Sequence, residues 1–170
     1  MALIRPEQPQ EFDRVTALLR TAFRREAEAR LVDRLRASGK IVSALVAEDK
    51  GHLLGHVMFS KIAVPGAAGQ ANAIALAPLT VMPAFQRLGV GSALVSAGLE
   101  TCRSQRQPRV FVYGDPVYYA RFGFTAAARF GLKSAAPEVE KYFLAMELEP
   151  RAFAGMSGTI RYGHEFDDLE

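Results

Sequence analysis

Gly89 and Gly91 follow an apolar run that ends near Val81, and they stand at the start of an apolar helical pattern that begins near Val90. Glycine accepts a positive φ and lets the backbone come close to a ligand. The first amides of a helix have no acceptor within the helix and carry a partial positive charge, so they bind anions. Residues 79–92 therefore predict a strand, a turn and a helix start that together hold a diphosphate.

Two other nucleotide-binding motifs fail at residues that they require. A P-loop needs Gly-Lys-Ser/Thr, whereas Gly91 is followed by Ser92 and Ala93. The dinucleotide fingerprint Gly-x-Gly-x-x-Gly needs a third glycine where this chain has Leu94. Taken alone, the two glycines are more typical of an ordinary turn between a strand and a helix than of a ligand site.

The spacing of apolar residues predicts the elements that position this turn. Helices are predicted at residues 9–24, around Leu31 and Leu35 with a stop at Ser38-Gly39, from Val90 to Cys102, and briefly through residues 118–120. Strands are predicted at residues 2–5, 41–48, 53–64, 73–81, 109–113, 142–148 and 159–162, with extended structure at 122–124 and a loop at 67–72. The order of elements predicts a single mixed α+β sheet domain over residues 1–170.

Pro78 interrupts the apolar run of the strand at residues 73–81. Proline cannot donate to a sheet ladder, so it marks an edge or a bulge where strand pairing is interrupted. A strand that is partly released from its neighbour can offer its backbone groups to a ligand.

The composition excludes several classes of function. Lys and Arg number 21 against 18 Asp and Glu, and a net charge of +3 is too small to indicate nucleic-acid binding. No apolar run approaches the roughly 20 residues of a membrane span. The single cysteine, Cys102, cannot form an internal disulfide and is expected to be a buried thiol in a cytoplasmic protein. The three histidines and this cysteine lack the spacing of metal ligands.

Two motifs resemble one known family. Residues 86–91 read Gln-Arg-Leu-Gly-Val-Gly and residues 119–124 read Tyr-Ala-Arg-Phe-Gly-Phe. They are similar to the Gln/Arg-x-x-Gly-x-Gly/Ala and Tyr-x-x-x-Gly-Phe segments of GNAT N-acetyltransferases, and the chain resembles in particular the YhbS-like predicted acetyltransferases. The resemblance covers the whole chain. It implies a mostly antiparallel mixed sheet that is splayed between its fourth and fifth strands, with helices on both faces.

The resemblance also implies acetyl-CoA as the co-substrate, bound where the sheet is splayed. Leu79, Thr80 and Val81 would lie along the pantetheine arm and pair with its amides through the backbone. The diphosphate would be surrounded by the amides of the turn, which are those of Arg87, Leu88, Gly89, Val90, Gly91 and Ser92. Consecutive amides in a turn form an anion nest whatever their side chains are.

Acyl transfer from a thioester to an amine needs a neutral amine and a proton for the departing thiolate. Tyr119 matches the family position whose hydroxyl lies near the sulfur, so it is the expected general acid, with Tyr118 as the alternative. Asp115 is the expected base, directly or through water, or else a helix N-cap. His56 is a second candidate base, and a buried structural histidine is the alternative for it.

The sequence leaves the acceptor open among small amines, amino acids and protein N-termini. The leading hypothesis is an N-acetyltransferase in which a primary amine attacks the thioester directly. The alternative is a non-catalytic acyl-CoA-binding sensor. The tail at residues 159–170 is expected either to pair with a second copy in a homodimer or to fold back on its own sheet.

Overall fold

The computed structural model describes residues 2–169. In that part of the chain the α-helices are α1 Phe12–Phe23, α2 Ala27–Ser38, α3 Val90–Ser104 and α4 Pro116–Ala120. The strands are β1 Leu3–Pro6, β2 Ile41–Asp49, β3 His52–Gly66, β4 Gly69–Val81, β5 Arg109–Tyr113, β6 Thr125–Ala126, β7 Leu132–Ser134, β8 Phe143–Glu147 and β9 Gly158–Ile160. Short 3₁₀ segments connect them at Pro9–Glu11, Pro83–Phe85, Ala127–Phe130, Pro137–Tyr142 and His164–Leu169.

The strands of the main sheet follow the order β1-β2-β3-β4-β5-β8-β6, and β7 pairs with β9 in a separate small sheet. The β4–β5 pair is parallel, with Ile74 opposite Val110 and Ala75 opposite Phe111. Neighbouring pairs such as β1–β2, β2–β3 and β5–β8 are antiparallel. Backbone contacts divide the described chain into two compact units. The prediction of a single domain over residues 1–170 stays a prediction.

The first unit comprises residues 2–60, 77–101 and 165–169. Its helices present apolar stripes to its strands, because the buried residues recur at helical spacing. The fully or nearly fully buried side chains include Val15, Leu18, Leu19, Leu31, Val32, Leu35, Val57, Met58, Phe59, Leu94 and Val95. Helix α2 ends as predicted, since Gly39 takes a left-handed φ of 73° directly after Ser38.

The second unit comprises Lys61–Leu76 and Cys102–His164. Its core is aromatic: the Phe111 and Phe143 rings stack with centroids 5.2 Å apart, and Phe153 packs against Phe111 at 5.5 Å. Cys102 is fully buried, as predicted, and burial raises the pKa of its thiol to about 12. A thiol with that pKa stays protonated at neutral pH and is therefore inert.

Two local predictions were wrong. Residues 69–72 belong to β4 instead of a loop, because β3 and β4 continue as a long hairpin. Residues 122–124 do not resume a strand: Phe122 and Gly123 donate backbone hydrogen bonds to Tyr119 and Ala120 in a turn, and β6 begins at Thr125. Of the two alternatives for Pro78, the edge strand is excluded, since β4 lies between β3 and β5 in the sheet order. The alternative of interrupted pairing agrees with the register, because the last β4 residue paired with β5 is Ala75.

The tail makes its contacts within its own chain. Strand β9 pairs in parallel with β7, with Lys133 opposite Thr159. In the first unit, Lys40 Nζ lies 2.8 Å from Glu165 Oε2, and Arg34 lies 3.0 Å from Asp168 Oδ2. The alternative in which the tail folds back therefore accounts for these segments, and the homodimer stays a prediction.

Candidate active site

The turn between β4 and α3 lies at the surface of the first unit. Residues 83–89 are exposed, and α3 begins at Val90. Arg87 has a φ of 64° and Gly89 a φ of 87°, whereas Leu88 between them has no positive φ. A positive φ is uncommon outside glycine. Alternation of left- and right-handed residues makes consecutive amides converge on an anion, and the two positive φ values lie directly before a helix, where such a nest is expected.

Hydrogen bonds within the first unit hold the turn in place. The Gln86 side-chain amide donates to the Val81 carbonyl at 3.1 Å, which ties the turn to the end of β4. Met82 N–H donates to the Leu54 carbonyl at 2.8 Å, and Ala93 N–H donates to the Gly89 carbonyl at 3.0 Å. The motif glutamine therefore has a structural role, namely closing the loop between β4 and α3.

Gly55 on β3 lets the backbone of β4 and the start of α3 approach closely. A Cβ at Gly55 would lie 2.8 Å from the Thr80 carbonyl oxygen and 3.0 Å from Leu94 Cδ1. The first contact is with backbone and cannot relax by a side-chain rotation. Any side chain at this position therefore has to push β4 away from β3 at the point where β4 leads into the turn.

Replacing Gly55 with alanine is expected to lower the free energy of unfolding by about 1–3 kcal/mol, the usual cost of overpacking a core. Urea denaturation measures this change. The exposed His52 on the same strand provides the control, since His52→Ala is expected to stay within about 0.5 kcal/mol of the wild type. An unchanged urea midpoint for Gly55→Ala would show that β3 and β4 separate without cost.

The end of β4 presents alternate residues to two sides. Leu79 and Val81 are half-buried, whereas Thr80 is only 3% exposed. Thr80 Oγ1 is buried and has no hydrogen-bond partner among the described residues. Because that side chain points into the protein, any contribution of Thr80 to a bound ligand comes from its main chain. Pro78 is preceded by a cis peptide bond.

Tyr119 lies in the second unit on α4 and is 7% exposed. Its ring makes edge contacts with Tyr118 at 5.0 Å and Phe124 at 5.6 Å between centroids. Burial, followed by the neighbouring Tyr118, raises the pKa of Tyr119. The phenol is thus a firmly protonated group held in an aromatic setting. Tyr118 is half-buried and carries the Arg121 guanidinium 4.4 Å from its ring centroid.

Asp115 acts as the N-cap of α4. Its Oδ1 accepts a hydrogen bond from Val117 N–H at 2.9 Å, and its carbonyl accepts one from Tyr119 N–H at 3.0 Å. The structural alternative given for Asp115 is therefore present, and the role of base stays a prediction. The Asp115 side chain is exposed, so solvent reaches its carboxylate.

His56 is fully buried in the first unit, which agrees with the structural alternative. Its Nε2 lies 3.1 Å from Glu7 Oε1, and the same carboxylate pairs with Arg36. Burial alone would raise the pKa of Glu7, but the hydrogen bonds from His56 and Arg36 outweigh it and lower the pKa. A fully buried imidazole engaged with a carboxylate does not present itself to an external amine.

The acetyltransferase (GNAT) domain family matches residues 3–127 of this sequence. This chain belongs to the GNAT family of acetyltransferases. It is 36% identical over 166 residues to the uncharacterized N-acetyltransferase YhbS of Escherichia coli strain K12, and the match covers 97% of this chain and 98% of that protein. The resemblance predicted from the two motifs is thereby confirmed.

Solved structures of GNAT proteins share the fold. YhbS from Escherichia coli in complex with CoA matches with a TM-score of 0.90 and 36% identity, covering 98% of this chain and 92% of that chain. A GNAT family acetyltransferase from Brucella melitensis in complex with acetyl-CoA matches with a TM-score of 0.81 and 30% identity, covering 98% of this chain and 99% of that chain. The predicted fold class, a mixed α+β sheet with flanking helices, is confirmed, and the protein is an acyltransferase whose co-substrate is acetyl-CoA.

The structure distributes the predicted GNAT site residues over the two units. All of the predicted cofactor-binding residues, at positions 79–81 and 87–92, belong to the first unit, whereas Tyr119 and Asp115 belong to the second. Sequence patterns missed Gly55 and Gly114, because a requirement for close approach leaves no signal in periodicity. An open cavity of about 330 Å³ in the second unit contains none of the predicted residues; it is lined by Gly123, Thr125, Arg129, Phe130, Met146 and Glu147.

Two further features concern cofactors and location. Within residues 2–169, no group of three or more His, Cys, Asp or Glu side chains is arranged to hold a metal ion. No helix in the same part of the chain is long and apolar enough to cross a membrane.

Proposed function

We propose that this protein transfers the acetyl group of acetyl-CoA to a primary amine by direct attack of the amine on the thioester. The observation that carries the proposal is the exposed turn before α3, where Arg87 and Gly89 both have positive φ values. An outward-facing anion nest fits the diphosphate of CoA. The CoA and acetyl-CoA complexes of the two related structures support this assignment.

The proposed cofactor site consists mainly of backbone groups. The amides of residues 87–92 bind the diphosphate, and the main chain of Leu79, Thr80 and Val81 pairs with the amides of the pantetheine arm. The half-buried Leu79 and Val81 side chains then lie beside the arm, while the Thr80 side chain stays in the protein interior. The site thus depends on the shape of β4 and the turn more than on any charged side chain.

In the proposed reaction the protein supplies one proton, which goes to the departing thiolate. The amine nitrogen forms a bond to the thioester carbon, the carbon–sulfur bond breaks, and the thiolate takes the phenol proton of Tyr119. The attacking nitrogen loses its own proton to Asp115, directly or through water, or to solvent. The Tyr119 phenolate then regains a proton from solvent. The cytoplasmic location expected from the single cysteine is part of this proposal.

Gly89→Ala tests the binding turn. The φ of 87° strains any residue other than glycine, and nothing lies within 4 Å of the added Cβ, so the change acts on backbone geometry alone. The expected result is at least a tenfold loss of acetyl-CoA affinity in isothermal titration calorimetry. Gly39→Ala is the matched control, because Gly39 has a φ of 73° and equally open space at the end of α2.

Both glycine variants are expected to lose about 1–2 kcal/mol of stability from the same strain. Only Gly89→Ala should lose affinity. Equal affinity in the two variants, or no heat with wild-type protein at saturating acetyl-CoA, would contradict the proposed site.

A turnover assay distinguishes an N-acetyltransferase from a non-catalytic acyl-CoA sensor. Release of the CoA thiol is followed colorimetrically with a panel of small amines, amino acids and peptides with free N-termini. Acetyl transfer to one class of amine identifies the acceptor. Tight acetyl-CoA binding without thiol release on any amine would instead assign the protein as an acyl-CoA sensor.

A further inference from the structure

Gly114, which follows the last residue of β5, adjoins the ring of Tyr119. A Cβ built on Gly114 would lie 2.2 Å from Tyr119 Cε2, 2.8 Å from Cδ2 and 3.3 Å from Cζ. Ordinary carbon contacts begin near 3.4 Å, so the ring occupies the space that a side chain on Gly114 would fill. Both residues belong to the second unit.

The backbone conformation does not account for glycine at position 114. Gly114 is not among the glycines with a positive φ, and its φ is therefore one that other residues adopt. Its N–H donates to the Tyr142 carbonyl at 3.0 Å, as the N–H of any residue except proline could. Glycine at position 114 therefore leaves space for the Tyr119 ring, and the geometry of the turn does not require it.

The other sides of the Tyr119 ring are occupied by aromatic groups. Tyr118 and Phe124 make edge contacts with it, and Phe122 lies 6.1 Å away between centroids. The backbone of Tyr119 is fixed by the hydrogen bond of its N–H to the Asp115 carbonyl. A methyl group at Gly114 would therefore move the ring against packed neighbours, and the hydroxyl would move with the ring.

We propose that Gly114 is a positioning residue for the general acid: its bare backbone sets the ring, and hence the hydroxyl, of Tyr119. The inference rests on the proposed function of Tyr119. Proton transfer requires donor and acceptor within about 2.6–3.2 Å, and a displacement of about 1 Å can cost about 100-fold in rate. Gly114 therefore affects the chemical step without contacting the substrate.

Gly114→Ala is compared with the wild type in the thiol-release assay, with rates expressed per site titrated by acetyl-CoA. The expected result is at least a tenfold lower kcat and a KM for acetyl-CoA within about twofold of the wild-type value. Expressing rates per titrated site removes any loss of folded protein from the comparison. An unchanged kcat would overturn the proposal.

The double variant Gly114→Ala/Tyr119→Phe distinguishes positioning from a general structural effect. If Gly114 acts through the Tyr119 hydroxyl, the double variant has the kcat of Tyr119→Phe alone, because the displaced group is already gone. A further loss of the same size as in the single variant would overturn the proposal. If Tyr119→Phe alone keeps the wild-type kcat, Tyr119 is not the general acid. The proposed role of Gly114 then fails as well, and the single variant shows that the cause is the assignment of Tyr119.

A stability cycle tests the steric premise independently of activity. Gly114→Ala is expected to lower the thermal midpoint of the wild type but not that of Tyr119→Leu, where the ring is absent. An equal loss of stability in both backgrounds would show that the added methyl group meets something other than the ring, and would contradict the proposal.

Discussion

Tyr119→Phe is expected to lower kcat by about 100-fold while the KM for acetyl-CoA stays within about twofold of the wild-type value, because removing a general acid affects only the step in which the proton moves. The phenylalanine ring keeps the contacts with Tyr118 and Phe124, so the fold is expected to be unaffected. Steady-state thiol release with the best acceptor of the panel measures both constants.

Tyr118→Phe is the matched control. It removes a hydroxyl from the adjacent residue of the same helix, and the Tyr118 ring keeps its place beneath Arg121. We expect a kcat within about threefold of the wild type, as for a substitution away from the reacting atoms. A large loss in Tyr118→Phe with little change in Tyr119→Phe would reverse the assignment of the acid.

The pH profile follows from the raised pKa of Tyr119. A tyrosine whose pKa lies above its ordinary value of about 10 keeps its proton through neutral and mildly alkaline solution. The rate is therefore expected to rise with pH as the acceptor ammonium is deprotonated, with no alkaline decline up to at least about pH 9. An alkaline decline with a midpoint below about pH 9 would contradict Tyr119 as the proton donor.

Elements with strong periodicity or clear end signals were predictable from the sequence. Strand β5 was predicted with the bounds that it has, because four apolar or aromatic residues follow Arg109 and the segment is flanked by proline and glycine. Helix α2 ended at Gly39 as expected, because glycine is the favoured residue at the left-handed position after the last turn of a helix. The position of the turn between β4 and α3 was also predictable, because two spaced glycines at the start of a helical pattern are a local signal.

Elements that depend on distant pairing were not predictable in the same way. The start of β4 at Gly69 is exposed and polar, and it is a strand because β3 turns back beside it. Strand β7 has three residues, too few to show alternation, and its partner β9 lies far along the chain. Tertiary pairing decided these segments, and local composition carried little information about them.

The candidate site shows the same division. The motif predicts which residues present amides to the cofactor, and this stays a prediction. The structural roles of Asp115 and His56 depended on what their side chains contact. Asp115 caps α4 and His56 meets Glu7 inside the first unit. Residue type and spacing left both alternatives open, because a carboxylate or an imidazole is equally suited to catalysis and to structure.

Gly98→Ala is expected to cost about 1–2 kcal/mol of folding stability. A Cβ at Gly98 would lie 1.9 Å from Phe59 Cε1 and 2.5 Å from Cζ, and Phe59 is fully buried. Alanine improves helix propensity by about 1 kcal/mol over glycine, so the net loss is the overpacking cost reduced by that amount. Thermal unfolding is expected to show a midpoint about 2–8 °C lower.

The origin of this loss in the Phe59 ring can be tested directly. Phe59→Leu removes the ring at a cost of about 1 kcal/mol, and Gly98→Ala in that background is expected to cost less than about 1 kcal/mol because the added methyl group gains space. Ser96→Ala, on the exposed side of the same helix, controls for helix propensity and should be neutral within about 0.5 kcal/mol. An undiminished loss for Gly98→Ala in the Phe59→Leu background would mean that backbone, and not the ring, limits how closely α3 packs on β3. Backbone contacts with the sheet would then set the position of α3, the helix that follows the proposed binding turn.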